Sequence, residues 1–162
     1  MSEPTRPHTG KWLEELTPGL VIQHAIRRTI TEADNVLFTS ITMNPAWLHL
    51  DFDYAENETE FGRPLVNSML TVATVIGISV HETTLGTTVA NLGFGEIAFP
   101  APLFHGDTLR VETEVRDARP SKSRPGQGVV TFEHRAFNQH DALVCRAVRQ
   151  ALMLSRPASL GA

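Results

Sequence analysis

The sequence predicts an α+β chain in which a curved antiparallel sheet wraps around one buried helix. Two observations carry this expectation. Residues 65–84, LVNSMLTVATVIGISVHETT, are apolar nearly all round, and a helix without a polar stripe has to be enclosed by other structure. The stretches 89–104, 107–120, 128–139 and 142–154 instead alternate apolar and polar residues over much of their length, the period of a half-buried strand. With 162 residues, 41% of them hydrophobic and 20% charged, the chain suits a single domain with a sizeable core.

Residues 1–15 are polar, contain prolines and read as a flexible arm, with Trp12 and Leu13 able to dock onto the body. The domain proper is expected over 16–156 and a short tail over 157–162. From Pro18, the run GLVIQHAIRRTI reads as a first strand. Thr31 then opens a capping box in which its hydroxyl accepts from the N–H of Asp34. The helix that follows, roughly 32–41, presents Val36, Leu37 and Ile41 at helical spacing. Asn44-Pro45 ends it, because proline disfavours helical geometry in the residue before it. Asp53 is expected to cap a second short helix, YAENETEF, which stops at Gly62 and Pro64. Within the long apolar stretch, Asn67, Ser68, Ser79 and His81 suit a protein interior better than lipid. His140-Asp141 falls where a hairpin turn would join the last two strands, and PSKSRPGQG at 120–128 has the residues of a loop.

Composition also excludes some functions. A net charge of −4 argues against a general nucleic-acid binder. The single cysteine, Cys145, forbids an intramolecular disulfide and fits a reducing compartment. No apolar run reaches the ~20 residues that span a bilayer, and the first residues lack the apolar core of a signal peptide, so no membrane and a cytoplasmic location are expected. His24, His134 and His140 show no ligand spacing, and no metal is expected. GFGE at 93–96 lies inside a strand with no helix after it, so it is no dinucleotide loop.

Four motifs in order carry a resemblance. The segment Asn44-Pro-Ala-Trp-Leu-His49-Leu-Asp51-Phe-Asp-Tyr54-Ala55 is followed by Val66-Asn67-Ser68-Met69-Leu70, then Phe99-Pro100, then Gly106-Asp107-Thr108-Leu109. From about Leu16 to Leu154 the chain resembles the MaoC-like enoyl-CoA hydratases/dehydratases, and this implies the hot-dog fold. Asn44 stands where most members have aspartate, and Ser68 where most have glycine. The stretches ITMN, SKSRP and FHGDTL resemble a subgroup acting on branched dicarboxylic acyl-CoAs such as mesaconyl-CoA or itaconyl-CoA, in which asparagine is usual.

The resemblance implies reversible addition of water to an α,β-unsaturated acyl-CoA thioester. That chemistry needs a base for the water, an acid for the α-carbon and a donor for the enolate oxygen. An imidazole exchanges protons near neutrality, which assigns proton transfer to His49; an amide does not titrate there, which leaves Asn44 to position the water. The backbone N–H of Ser68, at the start of the buried helix, is the expected oxyanion donor, provided its φ is negative. Lys122 and Arg124 are the candidate partners of the CoA phosphates. Arg63 and Asn67 are the candidates for the acyl end, with a surface ion pair to Glu58 or Glu60 the competing reading of Arg63. CoA belongs to the substrate, and no further cofactor is expected. The family likeness also implies a homodimer or higher homo-oligomer. A thioesterase on the same fold and a non-catalytic acyl-CoA binder are the alternatives.

Overall fold

The computed structural model describes residues 8–157. Residues 1–7 of the expected arm and 158–162 of the expected tail lie outside the described residues.

The first strand is split in two. β1 (Val21–Gln23) and β2 (Arg28–Thr29) both pair antiparallel with β4 (Thr108–Pro120), whereas one continuous strand was expected from Pro18. The break falls where His24 turns inward. Its Nδ1 meets Glu82 Oε2 at 2.6 Å and its Nε2 meets Thr113 Oγ1 at 2.7 Å.

α1 (Glu32–Ile41) begins with the expected capping box: Asp34 N–H donates to Thr31 Oγ1 at 3.2 Å, and Thr31 N–H returns to Asp34 Oδ2 at 2.9 Å. The bond from the Thr31 N–H is the main reason the Asp34 carboxyl sits below its usual range, with Arg28 assisting. The face that α1 buries is not the expected one. Leu37 and Ile41 are 64% and 69% exposed, while Asn35 and Thr39 are fully buried. The helix ends at Thr42, and Met43 adopts the left-handed φ of 55° that reverses the chain ahead of Asn44-Pro45.

Two short helices follow. α2 (Trp47–Leu50) is a single turn, too short to show a period in the sequence. α3 (Phe52–Asn57) is capped by Asp51, whose Oδ1 accepts from Tyr54 N–H at 3.0 Å; the expected cap, Asp53, instead accepts from Asn57 Nδ2 at 2.8 Å. α4 (Ser68–Thr83) is the long apolar helix, capped by Asn67.

The remaining strands form where the alternating stretches put them, although β3 shows no alternation in burial. β3 (Thr88–Ala98), β5 (Gln127–Phe137) and β6 (Leu143–Leu154) join β1, β2 and β4 in one antiparallel sheet of order β1-β4-β5-β6-β3, with β2 also on β4. Asp141, at φ 61°, makes the β5–β6 turn where it was expected. β3 is an edge strand carrying three register shifts, and its Val89, Leu92, Phe94 and Ile97 are exposed.

Length decides how the inner sheet face is covered. α4 is 16 residues, about 24 Å, whereas 13-residue β4 runs about 43 Å. The helix therefore covers one end: Val72, Val75 and Ile78 pack with Leu109, Val111, Ala136, Cys145 and Ala147. The other end is covered by the N-terminal segment. Leu16 packs with Val115, Val130, Phe132 and Met153, Leu13 lies against Gly128, and the chain is tied down by Gly10 N–H to Leu85 O at 3.0 Å. Between the two covers lies a buried polar chain, Glu82–His24–Thr113–His134, with Thr113 Oγ1 2.8 Å from His134 Nδ1. Burial first, then the charges of Arg149 and His24, push the His134 imidazole well below its ordinary pKa.

The outer sheet face carries interleaved Glu112, Glu114 and Glu133 with Arg116, Arg135 and Arg146. Such pairs contribute little when exposed, but Glu133 is buried and accepts from Arg116, Arg135 and Arg146 at 2.9–3.2 Å. Burial alone would raise its carboxyl; the hydrogen bonds from Arg146 and Arg116 outweigh that and hold it below the usual range.

Candidate active site

α2 exists because the chain has to turn back between α1 and α3, and Asn44 starts that turn. Its Oδ1 accepts from Ala46 N–H at 3.0 Å, an Asx turn that feeds Pro45-Ala46 into the single helical turn bearing His49. His49 Nδ1 is 2.9 Å from Leu65 O. A carbonyl only accepts, so Nδ1 carries the proton and neutral His49 keeps its lone pair on Nε2, the arrangement of a general base. Leu65 itself is fixed by its N–H to Leu48 O at 3.1 Å and by a bridge to Phe104.

His49 and Ser68 line one cleft of about 460 Å³. Its walls are Leu48, Phe61, Val66, Leu103 and Val144, closed on one side by the proline-flanked segment Phe99–Pro102; Thr71 is the other polar side chain in the lining. Among the described residues, no carboxylate lines it. Ser68 is the first residue of α4, and the residues with positive φ do not include it, so serine sits there without strain. Its N–H has no hydrogen-bond partner among the described residues, as expected for a first-turn donor. The two residues that carry a lone-pair nitrogen and a free helix-start N–H thus line the same largely apolar cleft.

The other expected residues are placed differently. Asn44 is not part of the cleft lining, and its carbonyl is already used by Ala46. Asn67 is buried, its Oδ1 caps Met69 N–H at 3.0 Å and its Nδ2 donates to Thr39 Oγ1 at 3.3 Å. Arg63 makes neither expected ion pair; its guanidinium lies 3.7 Å over the Phe104 ring, between cleft residues Phe61 and Leu65 in sequence. Lys122 and Arg124 follow β4, whose opposite end adjoins the cleft. Nine residues of strand, about 30 Å, separate Val111 from Pro120, so these two cations are remote from the cleft of their own chain.

Sequence reasoning missed Asn35. Its Oδ1 accepts from Asn67 N–H at 2.7 Å, and its Nδ2 reaches both Leu65 O at 3.1 Å and His105 Nε2 at 3.0 Å. Burial lowers the His105 pKa, against a smaller opposing pull from Glu32, in keeping with a neutral ring accepting from an amide. Among the described residues, no three His, Cys, Asp or Glu side chains form a metal-holding group, and no helix is long and apolar enough to cross a membrane.

Comparison with known proteins fits this geometry. The family model described as "MaoC like domain" matches residues 15–136. The chain is 32% identical over 156 residues to the β-methylmalyl-CoA dehydratase of Chloroflexus aurantiacus, covering 96% of this chain and 43% of that protein. It is 29% identical to the mesaconyl-CoA hydratase of Cereibacter sphaeroides, over 93% of this chain and 43% of the relative. The chain thus spans less than half the length of these two relatives. A solved structure from Mycobacterium tuberculosis with a double hot-dog fold superposes at a TM-score of 0.78 with 26% identity, over 93% of this chain and 46% of the other. The sheet and its helix are the hot-dog fold.

Proposed function

The chain belongs to the MaoC-like domain family, and from that premise we propose that it adds water reversibly to an α,β-unsaturated acyl-CoA thioester. The observation that supports the reading is the cleft that His49 and Ser68 both line, with His49 Nδ1 held by Leu65 O and the Ser68 N–H without a partner among the described residues. His49 takes the proton from water as its oxygen bonds to the β-carbon, and later returns a proton to the α-carbon. The enolate oxygen formed between these steps is held by the Ser68 N–H at the helix start. The names of the two curated relatives support a short branched dicarboxylic acyl group, such as mesaconyl or itaconyl. Arg63, held flat on Phe104 beside the cleft, is the cation we assign to the distal carboxylate. Asn44 positions water only if its Nδ2 turns toward the cleft; in the structure it supports the turn into α2.

The assembly we propose is a homodimer through β3, the apolar edge strand. Antiparallel pairing of two β3 strands places the far end of one sheet level with the cleft of the other. Lys122 and Arg124 of the partner subunit then meet the CoA phosphates. The reducing cytoplasm suits the single buried thiol. Among the described residues no carboxylate lines the cleft, which favours the hydratase reading over a thioesterase with an acidic nucleophile or base.

The test is hydration of mesaconyl-CoA and itaconyl-CoA, followed by loss of the conjugated thioester. The wild type turns over at least one of them, and His49→Ala loses about 10²–10⁴-fold in kcat. A His49→Ala protein as active as wild type refutes the assignment.

A further inference from the structure

We propose that Asn35 is a positioning residue that sets the general base and the oxyanion donor together. The inference rests on the hydratase reading above for its kinetic consequence, though its geometry stands alone. Asn35 is fully buried on α1, on the face where an apolar side chain would be expected. Its orientation is unambiguous. Oδ1 lies 2.7 Å from the N–H of Asn67 and must accept, so Nδ2 faces Leu65 O at 3.1 Å and His105 Nε2 at 3.0 Å. Both Nδ2 hydrogens and the carbonyl oxygen are then engaged.

Leu65 O is the acceptor shared by Asn35 Nδ2 and His49 Nδ1. Asn35 therefore holds in place the carbonyl that fixes which nitrogen of His49 keeps the lone pair. Its other end holds the N–H of Asn67, one residue before the Ser68 donor. One amide thus ties the 65–67 segment at two points and fixes the relative placement of two groups that have to act on the same substrate. The ionisable groups facing this amide are His49 on α2 and His105 on the β3–β4 connection, with Glu32 of α1 acting on His105.

The test is Asn35→Asp, which keeps the shape and the bond to Asn67 but sets a second oxygen against Leu65 O. In ¹⁵N spectra of the ligand-free wild type, His49 shows a protonated Nδ1 and a bare Nε2. In Asn35→Asp the Nε2–H tautomer appears, and kcat falls about 100-fold, as a misplacement near 1 Å produces, while KM changes less than about threefold. Thr83→Val, an equally buried change at the far end of α4 whose hydroxyl bonds Ser79 O and nothing in the 65–67 segment, lowers the melting temperature and leaves kcat unchanged. If Asn35→Asp does not fold, Asn35→Leu keeps the branching at Cγ and removes all three bonds; a mixed His49 tautomer and about a tenfold fall in kcat support the proposal. A wild-type tautomer and kcat in a folded Asn35 variant overturn it, as does an equal kcat loss in Thr83→Val. If the wild type hydrates neither CoA thioester, the proposed function fails, while the His49 tautomer still decides the role of Asn35.

Discussion

Ser68→Pro isolates the oxyanion donor with little disturbance to the fold. Proline removes one N–H, and at Ser68 that N–H makes no hydrogen bond among the described residues. Ser68 is the first residue of α4, the position where proline is most favoured in helices. The residue before a proline has to be extended, and Asn67 already is, at φ −57° and ψ 126°. The cap from Asn67 Oδ1 to Met69 N–H at 3.0 Å and the bond from Thr71 N–H to Asn67 O at 3.1 Å do not involve the Ser68 nitrogen. The folded state should therefore lose nothing, and a melting temperature within about 3 °C of wild type is expected. Loss of one oxyanion donor costs about 10²–10³ in kcat, roughly 2.7–4 kcal/mol of transition-state stabilisation. Ser68→Ala, which keeps the N–H and drops the hydroxyl, should stay within about threefold of wild type in kcat on the enoyl-CoA that wild type hydrates. A folded Ser68→Pro protein with near wild-type kcat refutes the oxyanion role. So does a Ser68→Ala protein as slow as Ser68→Pro, since the hydroxyl would then be the acting group.

The His134 imidazole, lowered by burial and then by the Arg149 and His24 charges, binds protons in the unfolded chain before it does in the fold. Its contribution to stability is complete above the unfolded histidine pKa of about 6.5 and declines below it; urea unfolding from pH 7.5 to 5.5 should show the decline, and His134→Leu should reduce the slope. Glu133, held low by Arg146 and Arg116 despite its burial, adds stability above the ordinary carboxylate range that is lost as pH falls through its folded pKa. Glu133→Gln should therefore unfold with a weaker acid dependence below about pH 4.5 than wild type. Cys145 is 0% exposed and burial pushes its thiol up to about 11, so an alkylating reagent at pH 8 should label it only at the rate of unfolding; immediate labelling of the folded protein would show that β6 is not packed as described.

Most of the architecture was legible because long elements repeat their signal. β4, β5 and β6 show the two-residue period over much of their length, and α4 lacks a polar stripe over four turns. Short elements gave less. α2 is one turn and shows no period, and Asp51 and Asp53 are equally plausible caps until the Tyr54 N–H is seen to choose Asp51. Within the site, the motif spacing pointed to His49 and Ser68, and both line the cleft. Asn67 caps α4, and the sequence does not separate that role from binding, because an amide at a helix start is fit for either. The charge of Lys122 and Arg124 is visible in sequence, but their distance from the cleft of their own chain follows from which end of β4 the loop joins.

α1 shows why a polar site resists sequence patterning. Val36, Leu37 and Ile41 have the spacing of a core-facing stripe, and the structure turns them outward. Burying an amide without partners costs roughly 2–7 kcal/mol, so placing Asn35 inward is tolerable only where every one of its bonds is met. The 65–67 segment meets them: it is irregular backbone between α3 and α4, with a carbonyl and an N–H that no helix or strand satisfies. The amide and the loop each lack partners alone and complete one another. This reciprocal need outweighs the burial of two or three aliphatic side chains and rotates the helix. The rotation is therefore a consequence of the loop that holds His49 and precedes Ser68. An inward-facing asparagine on an otherwise amphipathic helix then marks the backbone it serves, which here is the floor of the site.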